Sequence, residues 1–205
     1  MRYLGNKDSI VEILSGIIKE KTSLSNNMIF FDAFCGTGSV ANSLKLNCRI
    51  ILNDNLHCSA TYSHGRLIAA DCTFERLGFN PIDYLNNNNN SKNGYFYKNY
   101  SLGGSSRMYF SEENAARIDY FRSQIEDWFS TEKISENEYH YLLACLIESV
   151  SLVANTAGVY GAFLKKWDSR ALKKIIFLDV SDGRKAISDV QIYMNKIENI
   201  ISDID

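Results

Sequence analysis

The run Phe30-Phe31-Asp32-Ala33-Phe34-Cys35-Gly36-Thr37-Gly38-Ser39-Val40 constrains this chain more than any other stretch, because an apolar segment stops at two glycines and resumes as a helix. That pattern predicts a strand, a tight turn and a helix N-terminus. Gly36 and Gly38 let the backbone take positive φ and come close to a ligand, and the first turn of the helix offers N–H groups without intrahelical partners. A nucleotide-like cofactor suits such a turn. The next apolar run, Cys48-Arg49-Ile50-Ile51-Leu52-Asn53-Asp54, closes in a carboxylate. It stands about 20 residues beyond the turn, where a second strand places an acid for a ribose diol. Gly36-x-Gly38-x-x-Ala41 also fits a loose dinucleotide fingerprint. A nicotinamide or flavin enzyme, and a glycine turn with no ligand, therefore stay open on this stretch alone.

Composition narrows the setting. At 205 residues the chain can bury one good core, with or without a small appended subdomain. A formal net charge of −2 supplies no global attraction to nucleic acid, although local patches can still be basic. There is no apolar stretch long enough for a bilayer, and the N-terminus lacks the apolar core of a secretion signal, so the expected location is cytoplasmic with no membrane partner. Cysteines 35, 48, 58, 72 and 145 contain no C-x-x-C pair and read as buried thiols in a reducing compartment. His57, Cys58, His64 and Cys72 match no familiar zinc spacing, and no metal is expected.

In chain order, Met1-Arg2-Tyr3-Leu4-Gly5-Asn6-Lys7-Asp8 precedes Ile10, Ile13, Leu14, Ile17 and Ile18, whose spacing predicts a helix with one face in the core. The opening segment reads either as a mobile terminus or as a loop laying Tyr3 and Lys7 against a bound cofactor. A helix is expected around Arg66 to Ala70, and the asparagine run Asn86 to Asn90 predicts a surface loop. Tyr95, Phe96, Tyr97, Tyr100, Arg107, Tyr109 and Phe110 mix aromatics with cations, a composition that suits either nucleic-acid contact or the packing of an irregular subdomain. Ser111 before Glu112 and Glu113 predicts one helix start, and Ser135 to Glu138 has capping-box spacing for another. Beyond them comes a small-residue loop from Ala154 to Ala162. Lys165, Lys166, Arg170, Lys173 and Lys174 then place five cations within ten residues, suited to phosphates or to a solvated basic face. Ile175 to Leu178 and Val190 to Tyr193 predict short strands, and Asn195 to Ile204 a terminal helix.

In this order the pieces resemble the class of DNA adenine-N6 methyltransferases related to DNA adenine methylase, the D12 class. Arg2-Tyr3-Leu4-Gly5-Asn6-Lys7 is similar to its N-terminal cofactor motif, Asp32-x-Phe34-x-Gly36-x-Gly38 to its S-adenosylmethionine loop, and Asn53-Asp54 to its ribose-binding acid. Arg107-Met108-Tyr109-Phe110-Ser111, Glu148, Asn155 to Ala162 and Leu164-Lys165 resemble the central region of a bacterial and phage branch. The resemblance implies a Rossmann-like S-adenosylmethionine-dependent fold of the α/β class with an inserted, mainly helical DNA-binding subdomain. It implies cofactor contacts from Tyr3, Gly5, Lys7, Asp32, Phe34, Gly36, Gly38 and Asp54. It further implies that Arg107, Asn155, Tyr160, Lys165, Lys166 and Arg170 face double-stranded DNA. The implied boundaries are 1–74 for the cofactor-binding half, 75–174 for the DNA-binding insertion, and 175–205 for a return to the sheet.

One departure is visible without alignment. Methylating the exocyclic amine of adenine requires an Asp/Asn/Ser-Pro-Pro-Tyr/Phe loop in this class, and the chain's single proline is Pro81. No catalytic residue is therefore assigned within it. Val190 to Ile204 resembles the family segment just upstream of the catalytic strand. The expectation is an incomplete sheet and a second polypeptide that brings the loop in a heterodimeric, split methyltransferase. The competing expectation is a catalytically inactive module that binds DNA or S-adenosylmethionine for regulation.

Overall fold

The computed structural model describes residues 5–204 and is of mixed α/β type. Its residues fall into two compact units, one made of 5–73 with 180–204 and the other of Phe74–Asp179.

The first unit is built on a three-stranded parallel sheet. The strands are β1 (Ile29–Asp32), β2 (Arg49–Asn53) and β3 (Gln191–Tyr193), in the order β1-β2-β3. Phe30 pairs with Ile50 and Leu52 with Ile192, which fixes the register. Parallel neighbours need crossover connections, and α2 (Ser39–Leu44) links β1 to β2 while α3 (His57–Ile68) follows β2. Alternation along β2 sends Ile50 and Leu52 into a core with Ala41, Leu44, Leu67, Ile68 and Val190. Asn53 is fully buried where β2 ends. Its amide donates to Ala33 O at 3.0 Å, and its Oδ1 accepts from Asn195 N at 3.2 Å. One side chain thereby joins the segments that leave all three strands. At the far end of α2, Lys45 is buried against Asp182 at 3.0 Å.

Two expectations for this unit are corrected. The N-terminal helix, α1 (Val11–Lys21), has no buried residue; Ile18 packs on the core, but Ile13 and Ile17 are 65% and 50% exposed. It rests on α2, which has only six residues and covers a narrow strip of it. Residues 195–204 form short 3-10 turns, Ile197–Asn199 and Ile201–Asp203, in place of an α-helix. In this segment Asn195 N is already bonded to Asn53, and Ile200 alone of the apolar residues there is buried.

The second unit is helical: α4 (Pro81–Asn87), α5 (Tyr95–Tyr100), α6 (Glu112–Ser130) and α7 (Glu136–Val153). Its long helices begin as the capping residues predict. Ser111 accepts from Asn114 N, and Ser135 and Glu138 complete a reciprocal box. Ile118, Phe121, Ile125 and Trp128 of α6 are buried. The aromatics between 95 and 110 pack on one another, Phe96 against Phe110 at 5.9 Å and Tyr100 against Tyr109 at 5.5 Å.

Ile175–Leu178 is not a strand. Ile175 and Phe177 are buried in strand-like alternation, yet their N–H groups go to side chains, Asn114 Oδ1 at 2.9 Å and Asn86 Oδ1 at 2.8 Å. Asn86 also donates to Phe177 O at 2.9 Å, so one amide takes the place of a neighbouring strand. The first two residues of the asparagine run are accordingly helical, Asn86 being packed, and the surface loop begins after Asn87.

Candidate cofactor site

The turn between β1 and α2 lies at the C-terminal end of the sheet, the end at which open α/β sheets bind ligands. Cys35 N donates to Asn53 O at 2.9 Å, so the chain leaves β1 still tied to the end of β2. Gly36 and Gly38 then take φ of 52° and 66°, the left-handed region that disfavours side chains. At Gly38 the absent side chain has a second reason. A Cβ there would stand 2.7 Å from Ser63 Cβ on α3.

Asp54 meets this turn directly. Gly36 N donates to its Oδ2 at 2.9 Å, and Leu56 N to its Oδ1 at 2.9 Å. Each oxygen keeps a lone pair for a further donor. Asp32, at the end of β1, stands close enough for the Asp54 charge to act on it. Burial and, to a smaller extent, that charge push its carboxyl up to about 6, against the pull of a backbone hydrogen bond from Phe34. Phe34 itself is 74% exposed, an aromatic held outside the core beside the glycines. Cys35, by contrast, is buried with its Sγ 3.1 Å from Ser63 Oγ, and burial pushes its thiol up to about 12, which leaves it inert as a nucleophile.

Of the N-terminal residues expected at the site, Tyr3 lies outside the described residues. Gly5, with φ of 86°, and Lys7 are exposed, and Lys7 Nζ turns back to Gly5 O at 2.9 Å. The residues that reach the turn are their neighbours. Ser39 Oγ donates to Asp8 Oδ1 and stands 3.4 Å from Asn6 Oδ1, while Arg66 Nη1 is 3.6 Å from Asp8 and 3.4 Å from Thr37 O. Sequence reasoning passed over Asp8, Ser39 and Arg66, because three polar residues so far apart along the chain form no local pattern. Among the described residues no group of His, Cys, Asp and Glu is placed to hold a metal, and no helix is long and apolar enough to cross a membrane.

In the helical unit the expected DNA-facing residues separate into two groups. Arg107, Tyr160, Lys165 and Lys166 are exposed; the Arg107 guanidinium lies 5.9 Å from the Tyr100 ring centre, and Tyr160 stacks beside Tyr109. Asn155 and Arg170 are occupied with holding their own loop. Asn155 is fully buried, donates to Met108 O and Leu164 O at 3.0 Å each, and accepts from Asp168 N at 3.0 Å. Arg170 donates to Ala154 O at 2.9 Å, closing the C-terminal end of α7, and pairs with Asp168.

Comparison with known proteins identifies the family. The family described as D12 class N6 adenine-specific DNA methyltransferase matches residues 3–201. The modification methylase LlaI of Lactococcus lactis subsp. lactis is 37% identical over 212 residues, covering all of this chain and 34% of the relative. The type II methyltransferase M.FokI of Planomicrobium okeanokoites is 34% identical, with all of this chain and 33% of the relative covered. M.NlaIII of Neisseria lactamica is 35% identical, and there the match covers 61% of the relative. The chain thus spans about a third of the length of the first two relatives and under two thirds of the third. No solved structure is significantly similar. With nearly the whole sequence matched, the chain belongs to the D12 class of N6 adenine-specific DNA methyltransferases.

Proposed function

We propose that this chain is the S-adenosylmethionine-binding part of a site-specific DNA adenine-N6 methyltransferase, active once a second polypeptide supplies the catalytic loop. The observation that carries the reading is the Gly36–Asp54 hydrogen bond, which sets a carboxylate against a left-handed glycine turn at the C-terminal ends of two adjacent parallel strands. The donor set fits the cofactor. Asp54 presents two oxygens with spare lone pairs to a ribose diol, Asp32 adds negative charge for a cationic guest, and Phe34 offers an exposed aromatic face. Lys7 and Gly5, in the segment whose Asn6 and Asp8 reach the turn, border the same guest by resemblance, as does Tyr3.

S-adenosylmethionine supplies an electrophilic methyl group on a sulfonium. Gly36 and Gly38, with their positive φ, shape the loop that receives it, and Asp54 orients it. In the helical unit, Arg107, Lys165 and Lys166 offer cations and Tyr160 an aromatic ring to the duplex, a combination that positions DNA through phosphates and stacking. Asn155 and Arg170 support that surface by fixing the loop between 154 and 170. Acceptance of the adenine amine hydrogens falls to an Asp-Pro-Pro-Tyr-type loop, which a sequence with one proline does not contain. The exposed Ile13 and Ile17 and, among the described residues, the single-sided pairing of β1 give a second polypeptide apolar surface and a strand edge to cover.

The test is methyl transfer from labelled S-adenosylmethionine to unmethylated duplex DNA by this chain, by a polypeptide carrying the Pro-Pro loop, and by the two mixed. Activity in the mixture alone is expected. Activity of this chain by itself would overturn the division of labour, and cofactor and DNA binding without activity in any mixture would favour an inactive regulatory module.

A further inference from the structure

The segment 5–8 reaches the glycine turn without apolar anchorage. Gly5, Lys7 and Asp8 are exposed, and no side chain of α1 that follows is buried. Its attachment is polar and converges on one carboxylate. Asp8 accepts from Ser39 Oγ, lies 3.6 Å from Arg66 Nη1, and is bonded to its own segment by Asn6 Nδ2. Ser39 is 3.0 Å from Thr37 Oγ1, and Arg66 reaches Thr37 O, so the network grips the turn at both Thr37 and Ser39. Burial pushes the Asp8 carboxyl up, but Ser39, Asn6 and Arg66 outweigh it and hold the group below its ordinary value, so Asp8 is ionised at neutral pH.

We propose that Asp8 is a positioning residue for the cofactor, a polar latch that, through Ser39 and Arg66, holds residues 5–8 against the glycine turn. The inference rests on the reading of that turn as the S-adenosylmethionine site. Because the latch fastens to Thr37 and Ser39, which lie within and just after the turn that takes the guest, closing one favours binding of the other, and the coupling acts in both directions. A neutral or shortened side chain at position 8 leaves the sheet and α2 intact, because Asp8 contributes nothing to the core. It frees the segment that carries Gly5 and Lys7.

The experiment uses the full chain. Titration calorimetry with S-adenosylmethionine is run on the wild type, Asp8→Ala, Asp8→Glu, Arg66→Ala and the double variant Asp8→Ala with Arg66→Ala. Amide 15N relaxation of residues 6–9 and the urea midpoint are measured on the same samples. Expected are a loss of affinity of about 10-fold in Asp8→Ala, partial recovery in Asp8→Glu, a double variant no worse than the poorer single one, faster motion of 6–9 in Asp8→Ala even without cofactor, and an unchanged midpoint. Wild-type affinity in Asp8→Ala, or unchanged relaxation at 6–9, would overturn the latch. A lowered urea midpoint matching the affinity loss would overturn it too, since Asp8 would then serve stability. If the wild type binds no S-adenosylmethionine, the reading of the turn fails, and the relaxation result still decides whether Asp8 holds the segment.

Discussion

Asp32 is a residue whose chemistry depends on its surroundings. It sits at the end of a strand, half-buried, with a second carboxylate nearby, and its carboxyl is pushed up to about 6. The folded state therefore binds that proton more tightly than the unfolded chain, where the group titrates near 3.8. Its contribution to stability is complete below about 4 and is lost as pH rises through about 6. In urea denaturation between pH 4 and pH 8, the wild type is expected to lose stability across that window relative to Asp32→Asn, with no further divergence above it. Parallel curves would show that Asp32 is solvated. Asp182 behaves in the opposite sense. Against the upward push of burial, Arg184, Asn42 and Lys45 hold its carboxyl well below the usual range, which keeps the buried Lys45 paired throughout that window.

At the scale of elements, the apolar spacing of Ile10, Ile13, Leu14, Ile17 and Ile18 identified α1 as a helix and overstated its burial. Hydrophobic period reports which face could be buried and not whether a neighbour is wide enough to bury it. Here the neighbour is the six-residue α2. Ile13→Lys with Ile17→Lys is expected to change the stability of the isolated chain by less than about 0.5 kcal/mol. Ile18→Ala should cost about 1–2 kcal/mol, short of the 2–5 of a fully buried isoleucine. Urea midpoints of the two variants check this, and a large cost for the lysine pair would restore the face to the core. The capped starts of α6 and α7 were legible because caps are local, a side chain bonding a backbone N–H three residues on. Residues 175–178 misled because their alternation is that of a strand while their hydrogen-bond partners, Asn86 and Asn114, lie far away in sequence.

Over the whole molecule, the glycine turn belongs to one compact unit and the exposed cations to the other. On the proposed reading, cofactor and DNA affinity respond to different substitutions. Lys165→Ala with Lys166→Ala should weaken DNA binding and lower the slope of log K against log salt by about 2, at roughly 0.9 for each phosphate that the lysines no longer neutralise. The calorimetric affinity for S-adenosylmethionine should stay unchanged, and an unaltered salt slope would remove these lysines from the interface. The sequence alone determined the strand–turn–helix around Gly36 and Gly38, the acid at Asp54 and the starts of the long helices, since each is written in neighbouring residues. Only the tertiary structure decided that Asn155 and Arg170 hold their own loop, that Asn86 stands in for a strand, and that Asp8, Ser39 and Arg66 meet at the turn. These are contacts between side chains distant along the chain, set by the packing of helices on a sheet and not by any period or spacing a sequence displays.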